Sequence, residues 1–118
     1  MTKISSHILD STNGYDASGI RVKCNRVVGG KGSQEIFDGY ANSEGRVSFN
    51  VDASMDSDDV YYDLLFLSGE YFVKDLSTDV HRPVVSESVV RLNLSTRKGT
   101  CHVPVLIAPN NFIAWWSG

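Results

Sequence analysis

The feature that most constrains this sequence is the regular alternation of short apolar segments with clusters of turn-forming residues. Segments rich in Val, Ile, Phe and Tyr recur between clusters of Gly, Asn, Asp and Ser. Such clusters supply the positive φ values that tight turns require, so they predict loops between strands. The pattern predicts seven strands, at residues 3–10, 19–27, 33–40, 46–51, 60–66, 84–94 and 102–107.

Helix is nearly absent from this pattern. Residues 70–79 could form one short helix, which would end before Pro83 because proline disfavours helical geometry in the residue before it. The predicted fold class is therefore all-β, a two-sheet sandwich of seven to eight strands with at most one short helix. With 118 residues, 42% of them hydrophobic, the chain can build one core, and residues 1–118 are predicted to form a single domain.

Composition argues against several classes of partner. Lys and Arg total 11 against 14 Asp and Glu, and the net charge of −3 offers no basic surface for nucleic acid or an anionic membrane. The longest apolar run, residues 103–108, contains a proline and is far shorter than the roughly 20 residues of a membrane-spanning helix.

A soluble cytoplasmic protein with a small-molecule partner is expected. The peroxisome is the alternative compartment, although the chain lacks a Ser-Lys-Leu ending.

The two cysteines, Cys24 and Cys101, are expected to be free thiols, because a cytosolic chain of this size does not need a disulfide. Cys101 precedes His102, but neighbouring residues on a strand point to opposite faces, which disfavours a shared thiolate or zinc site. A zinc site formed by His7, His81 and His102 would lack any recognised ligand spacing. No metal and no other cofactor is expected.

Two predicted strands each present a histidine on the face that turns away from the core. Side chains alternate along a strand, so His7 shares a face with Leu9 in the first strand, and His102 shares a face with Pro104 and Leu106 in the last. Soluble proteins rarely leave several neighbouring apolar side chains exposed to water on one face. We therefore expect another subunit to cover these faces.

The candidate catalytic residues are His7, Arg46 and His102. Imidazoles titrate near neutral pH, and a guanidinium can hold a developing oxyanion. A neutral histidine could take a proton from attacking water while the guanidinium holds a planar anionic heterocycle. The set suits hydrolysis of a polarised carbonyl or imine without a covalent nucleophile. The alternative is purely structural: histidines bonded to backbone at strand edges and a solvated arginine.

Three segments together resemble the 5-hydroxyisourate hydrolase branch of the transthyretin family. They are Ser-His-Ile-Leu-Asp at residues 6–10, Asn-Ser-Glu-Gly-Arg at 42–46 and His-Val-Pro-Val-Leu at 102–106. Residues 19–22 and 61–66 also match the family's pattern. The resemblance implies a transthyretin-like sandwich assembled as a homotetramer, with sites in a channel between dimers.

The resemblance also implies an activity. In the family, residues at the positions of His7, Arg46 and His102 carry the hydrolytic opening of 5-hydroxyisourate, a step of purine breakdown that cleaves a C–N bond of a cyclic amide or amidine. Transthyretin itself, a secreted hormone carrier, lacks these residues, which argues against a carrier. Substrate contacts are predicted for Leu9, Pro104, Trp115, Trp116 and Ser117.

Two departures from the family pattern keep other functions open. Thr100 stands where the hydrolases carry a histidine, and residues 115–118 read Trp-Trp-Ser-Gly instead of Tyr-Arg-Gly-Ser. Exchanging a cationic tail for two indoles favours a larger, more apolar ligand. One alternative is an enzyme of the same fold, a hydrolase or cyclase, acting on an apolar intermediate of secondary metabolism. The other is a non-catalytic small-molecule binding protein.

Overall fold

Alternation of apolar and polar side chains builds the first strand, in which Ile4, Ser6 and Ile8 are buried while Ser5 and His7 stay partly exposed. The computed structural model describes residues 1–73, 83–95 and 99–118. In chain order its elements are β1 (Thr2–Asp10), β2 (Tyr15–Asp16), β3 (Arg21–Val28), β4 (Gly32–Tyr40), β5 (Arg46–Val51), β6 (Val60–Phe66), α1 (Ser68–Val73), β7 (Ser88–Leu92), β8 (Gly99–His102), β9 (Val105–Ala108) and β10 (Asn111–Ala114).

The strands form two sheets, as predicted. In the six-stranded sheet, β1 is central: it pairs antiparallel with β2 and β5 and parallel with β8 and β9, while β10 pairs antiparallel with β9. The second sheet has the antiparallel order β4-β3-β6-β7. The structure confirms the all-β fold class, a mixed two-sheet sandwich with one short helix in the described residues.

Apolar side chains from both sheets form the core. Ile4 and Ile8 of β1 belong to the same buried cluster as Val22, Leu64 and Phe66 of the four-stranded sheet. Each of these side chains is at most 1% exposed, and burying one stabilises the fold by about 1.5–3 kcal/mol. The inner face of the six-stranded sheet is thereby used for packing, and its outer face is left for other contacts.

A buried carboxylate holds the turn between β1 and β2. Asp10 Oδ1 accepts hydrogen bonds from the backbone N–H groups of Thr12 (3.0 Å) and Asn13 (2.9 Å). Its Oδ2 accepts from Asn13 Nδ2 at 2.8 Å and from the Tyr71 hydroxyl at 3.1 Å. These bonds satisfy a carboxylate that is only 1% exposed. The turn therefore returns the chain directly alongside the end of β1.

The predicted number of strands was too low, since the described residues contain ten. The predicted strand at 102–107 is split into β8 and β9, because Pro104 between them has no N–H for a sheet ladder. The two-residue strand β2 and the short C-terminal strand β10 were not anticipated. Both are too short to leave a periodic signal in the sequence.

Two predicted boundaries were also wrong. The strand predicted at 84–94 is limited to Ser88–Leu92, since the backbone N–H of Val84 donates to the Asn110 side chain at 2.8 Å instead of to a neighbouring strand. The helix begins at Ser68 and not at residue 70, and residues 74–79 of the prediction lie outside the described residues. Among the residues that the structure describes, no helix has the length and apolarity needed to cross a membrane.

Candidate active site

The outer face of the six-stranded sheet brings together the three predicted catalytic residues. His7 of β1 lies opposite Arg46 in the antiparallel pair with β5, and Ser5 lies opposite His102 in the parallel pair with β8. Directly opposed residues have Cβ atoms about 5 Å apart on one face. Both histidines and the arginine therefore share this face, which we call the outer face.

A tight turn before β5 holds the backbone of Arg46. Asn42 Oδ1 accepts hydrogen bonds from the N–H groups of Glu44 (2.9 Å) and Arg46 (3.0 Å), and the carbonyl of Gly45 accepts one from Ile8 at 2.8 Å. Gly45 has φ of 71°, and a Cβ there would lie 2.5 Å from the carbonyl oxygen of Ile8. Only glycine fits this position, so the turn places β5 in a single register against β1.

Within residues 1–73, 83–95 and 99–118, the guanidinium of Arg46 has only a loose ion pair. Its Nε lies 4.0 Å from Glu44 Oε2, the limit of an ion pair, and both side chains are more than half exposed, at 53% and 73%. An exposed pair at that distance contributes little. The positive charge of Arg46 can therefore interact with an anion on the outer face.

His102 is held by Ser5, whose Oγ lies 2.7 Å from Nδ1 of the imidazole. Burial lowers the pKa of His102, and electrostatic interactions with Arg46 and His7 lower it further, against an opposing effect of the Ser5 backbone. The ring is therefore neutral at neutral pH and able to accept a proton.

His7 contacts a carboxylate that the sequence did not suggest. Its Nε2 lies 3.0 Å from Asp16 Oδ1, with side-chain exposures of 23% and 42%. Asp16 belongs to β2 and pairs with Leu9, so its side chain emerges on the outer face. The signal that could have found it is the turn at residues 11–14, which returns the next residues alongside β1.

Two cavities lie on the outer face. The first has a volume of about 330 Å³, and the second, at the β2 end of the sheet, has a volume of about 460 Å³. The lining of the first includes Lys3, Ser5, Arg46, Ser48, Thr100 and His102, and that of the second includes Leu9, Asp10, Tyr15, Asp16 and Leu106.

The C-terminal tail extends the pairing of β10 along residues 102–104. Trp115 N donates to the Pro104 carbonyl at 3.3 Å, and Ser117 N donates to the His102 carbonyl at 2.9 Å. Alternation along this extended segment puts Trp115 and Ser117 on the outer face with His102, whereas Trp116 falls opposite Val103, which is buried on the inner side. The two tryptophans are thus not equivalent.

Of the predicted substrate-contact residues, the structure brings Leu9, Pro104, Trp115 and Ser117 to the outer face, while Trp116 lies on the opposite side of the extended tail. Their role in binding stays a prediction. Ser5 was missed as a partner of His102, although it shares the period-two face of His7. Cys24 and Cys101 are buried thiols, and His81 of the considered zinc site lies outside the described residues.

Together these observations define a transthyretin-like β-sandwich whose outer face carries two histidines and an arginine. A sequence profile of the HIUase/transthyretin family matches residues 4–116. The chain belongs to the HIUase/transthyretin family.

Curated relatives and solved structures agree with this assignment. The chain is 28% identical over 110 residues to a 5-hydroxyisourate hydrolase of Halalkalibacterium halodurans, covering 93% of this chain and 92% of that protein. It is 28% identical over 113 residues to a 5-hydroxyisourate hydrolase of Pseudomonas aeruginosa, covering 95% and 88%. Both relatives match almost end to end.

Structural comparison supports the same fold. Klebsiella pneumoniae 5-hydroxyisourate hydrolase has a TM-score of 0.76 at 22% identity, with 100% of both chains covered. Transthyretin from Sparus aurata has a TM-score of 0.75 at 18% identity, covering 97% of this chain and 95% of that one. An (S)-allantoin synthase has a TM-score of 0.77 at 22% identity, and the chain spans 44% of that protein's length. The resemblance in fold predicted from the sequence is confirmed.

Proposed function

We propose that this protein hydrolyses 5-hydroxyisourate without a cofactor. The observation that carries the proposal is the convergence of His7, Arg46 and His102 on one face, His7 directly opposite Arg46 and His102 directly opposite Ser5. Relatives that match over 93% and 95% of the chain are named 5-hydroxyisourate hydrolase. The bond cleaved would be a C–N bond of a cyclic amide or amidine.

The mechanism follows from the different surroundings of the three residues. Neutral His102, with Nδ1 engaged by Ser5, accepts a proton at Nε2 from a water molecule as the water oxygen forms a bond to the electrophilic carbon. Arg46 stabilises the negative charge that develops on the substrate. The C–N bond then breaks, and the leaving nitrogen takes a proton from a histidine. Water is consumed and no covalent enzyme intermediate forms.

We also propose a homotetramer, each subunit contributing one domain of residues 1–118, with sites between dimers. Ile113 and Trp115 are 55% and 45% exposed, and β-sheet alternation puts both on the outer face beside Leu106. A second copy packed on this face would remove apolar surface from water and enclose the first cavity. Sedimentation velocity measures the assembly, and a monomer across micromolar concentrations would refute it.

The buried thiols of Cys24 and Cys101 suit a reducing compartment, so we propose the cytoplasm.

A second candidate is hydrolysis or cyclisation of a larger, more apolar substrate by the same residues. Its support is Trp115, which lies on the outer face beside Pro104 and two residues before Ser117, the partner of the His102 backbone. An indole on the same face as His102 favours aromatic or apolar ligands over small anions. A binding protein without activity would use the same surface and would not need the neutral His102.

The decisive experiment mixes the purified protein with freshly generated 5-hydroxyisourate and follows its ultraviolet decay against the spontaneous rate. We expect acceleration by the wild type and loss of about 100-fold or more in kcat for His102→Ala. Arg91→Ala is the matched control, because Arg91 pairs with Asp63 on the other sheet. Absence of acceleration by the wild type would refute this substrate, and an active His102→Ala variant would refute the site.

A further inference from the structure

The two histidines of the outer face have different partners. His102 is bonded at Nδ1 to a neutral hydroxyl, that of Ser5. His7 has its Nε2 at 3.0 Å from a carboxylate oxygen, Oδ1 of Asp16. A hydroxyl can donate or accept a hydrogen bond, whereas an ionised carboxylate only accepts. The partner of His7 therefore constrains which nitrogen carries the proton, and the partner of His102 does not.

The backbone before and after Asp16 is fixed by hydrogen bonds. Strand β2 pairs with the end of β1, and the N–H of Ala17 donates to the carbonyl of Ile8 at 2.9 Å. The N–H of Ser18 donates to the carbonyl of Asp16 at 2.9 Å, and Ala17 is fully buried. The turn before β2 is anchored by the buried Asp10 carboxylate. The Asp16 side chain thus starts from a fixed backbone and is not part of a loose surface loop.

We propose that Asp16 is a positioning residue that holds the His7 ring in one orientation with its proton on Nε2. In a neutral ring of this form the lone pair is on Nδ1, so Nδ1 is the nitrogen that exchanges protons with a bound substrate. A carboxylate that orients a catalytic imidazole serves this purpose in Ser-His-Asp triads. The expected effect on catalysis rests on the proposed function, whereas the position of the proton on the His7 ring does not.

A purely structural role for the pair makes a different prediction. If the pair served only stability, Asp16→Asn would change unfolding and leave the His7 tautomer as it is, and even that change would be small for a pair with side-chain exposures of 23% and 42%. An effect on the ring's tautomer or on kcat, without an effect on unfolding, is specific to positioning. The Asp38 carboxylate, which lies 2.6 Å from Arg21 on the other sheet, offers a matched control.

The test is nitrogen-15 NMR of the histidine rings in the wild type, Asp16→Asn, Asp16→Glu and Asp38→Asn. In the wild type we expect His7 as the Nε2-protonated tautomer at a pH where the ring is neutral. Asp16→Asn should shift the population towards Nδ1–H, because the amide can donate to Nε2, while Asp16→Glu and Asp38→Asn should retain the wild-type signature. An unchanged tautomer in Asp16→Asn would overturn the proposal.

Turnover of 5-hydroxyisourate by the same variants supplies the catalytic readout. We expect Asp16→Asn to lower kcat by about 10- to 100-fold with KM changed by less than about threefold, and Asp16→Glu to recover part of the loss. A shifted tautomer with unchanged kcat would overturn the catalytic relevance of the pair. If the wild type has no activity on 5-hydroxyisourate, the proposed function fails, and the NMR result still decides whether Asp16 positions His7.

Discussion

Ser5 and His102 lie directly opposite each other in the parallel pair of β1 and β8, with Ser5 Oγ 2.7 Å from His102 Nδ1. The N–H of Val103 also donates to the Ser5 carbonyl at 2.8 Å. One residue of β1 therefore fixes both the backbone that follows His102 and the orientation of its ring. This relationship makes Ser5 the first residue to test after the three candidate catalytic residues.

Ser5→Ala should lower kcat by about tenfold and lower the free energy of unfolding by only about 1 kcal/mol. The substitution removes the hydroxyl that orients the imidazole, and a hydrogen bond of this kind contributes about 1 kcal/mol. Ser11→Ala is the control, since the Ser11 hydroxyl donates to the Ile107 carbonyl away from the histidines. Steady-state kinetics and urea unfolding measure the two effects, and equal kinetic losses in both variants would contradict the role assigned to Ser5.

The pH dependence of activity and stability should reflect the lowered pKa of His102. Activity should fall as His102 becomes protonated, below the ordinary histidine pKa of about 6.5. Because the pKa of His102 is lower in the folded protein than in the unfolded chain, the unfolded chain binds more protons at pH values between these two pKa values. The contribution of His102 to stability is therefore complete above about pH 6.5 and is lost as the pH falls towards the folded pKa. Urea unfolding across this range, with His102→Gln as reference, isolates the contribution.

Arg46→Gln should raise the pKa of His102 towards its ordinary value, because a positive neighbour that disfavours the imidazolium is removed. Burial, the larger cause, remains, so the return should be partial. NMR titration of the His102 ring measures the shift without any substrate. Arg91→Gln should leave the titration unchanged, and a similar titration in both variants would mean that Arg46 is farther from His102 than proposed.

Trp115→Ala and Trp116→Ala should differ in their effect on substrate binding. Trp115 shares the outer face with His102, so its loss should change KM by about two- to tenfold, whereas Trp116→Ala should leave KM within about twofold. The two variants remove the same side chain from neighbouring positions of comparable exposure, 45% and 49%, and so control for each other. A larger effect of Trp116→Ala would contradict the register of the tail.

Gly45→Ala should destabilise the protein more than Gly14→Ala. Both glycines have positive φ, 71° and 78°, but an added Cβ would collide with the Ile8 carbonyl only at Gly45. We expect about 1 kcal/mol for Gly14→Ala and about 3 kcal/mol for Gly45→Ala in urea unfolding. Equal losses would show that the turn before Arg46 can move away from β1.

The sequence was sufficient to predict which faces His7 and His102 occupy, because strand alternation depends only on local order. It also predicted two sheets and the approximate bounds of β1, β5 and β6. Arg46 was named as a candidate from the chemistry of its side chain, but preferring a functional to a structural role for it depended on the family resemblance, since a single arginine after a turn carries little signal by itself. Leu9 follows the same rule as the histidines, because its position two residues after His7 assigns it to the same face.

The contacts between segments could not be predicted in the same way. The approach of Asp16 to His7 depends on how the turn after β1 closes, and the separation of Trp115 from Trp116 depends on the register of the tail against residues 102–104. Pro104 was expected to lie within a continuous strand, because its neighbours are apolar and alternate correctly. These features depend on pairing geometry, which composition and period do not specify.

The parallel pairing of β1 with β8 also has a consequence for protein synthesis. Ser5 and His102 are 97 residues apart in the chain, and closing so long a loop is entropically costly and slow. On the ribosome, β1 emerges early but cannot meet its parallel neighbours until nearly the whole chain has been translated. β1 can pair with β2 and β5 once these have emerged, but the edge that meets β8 and β9 should stay unpaired for most of synthesis, and catalytic competence should arise only at its end.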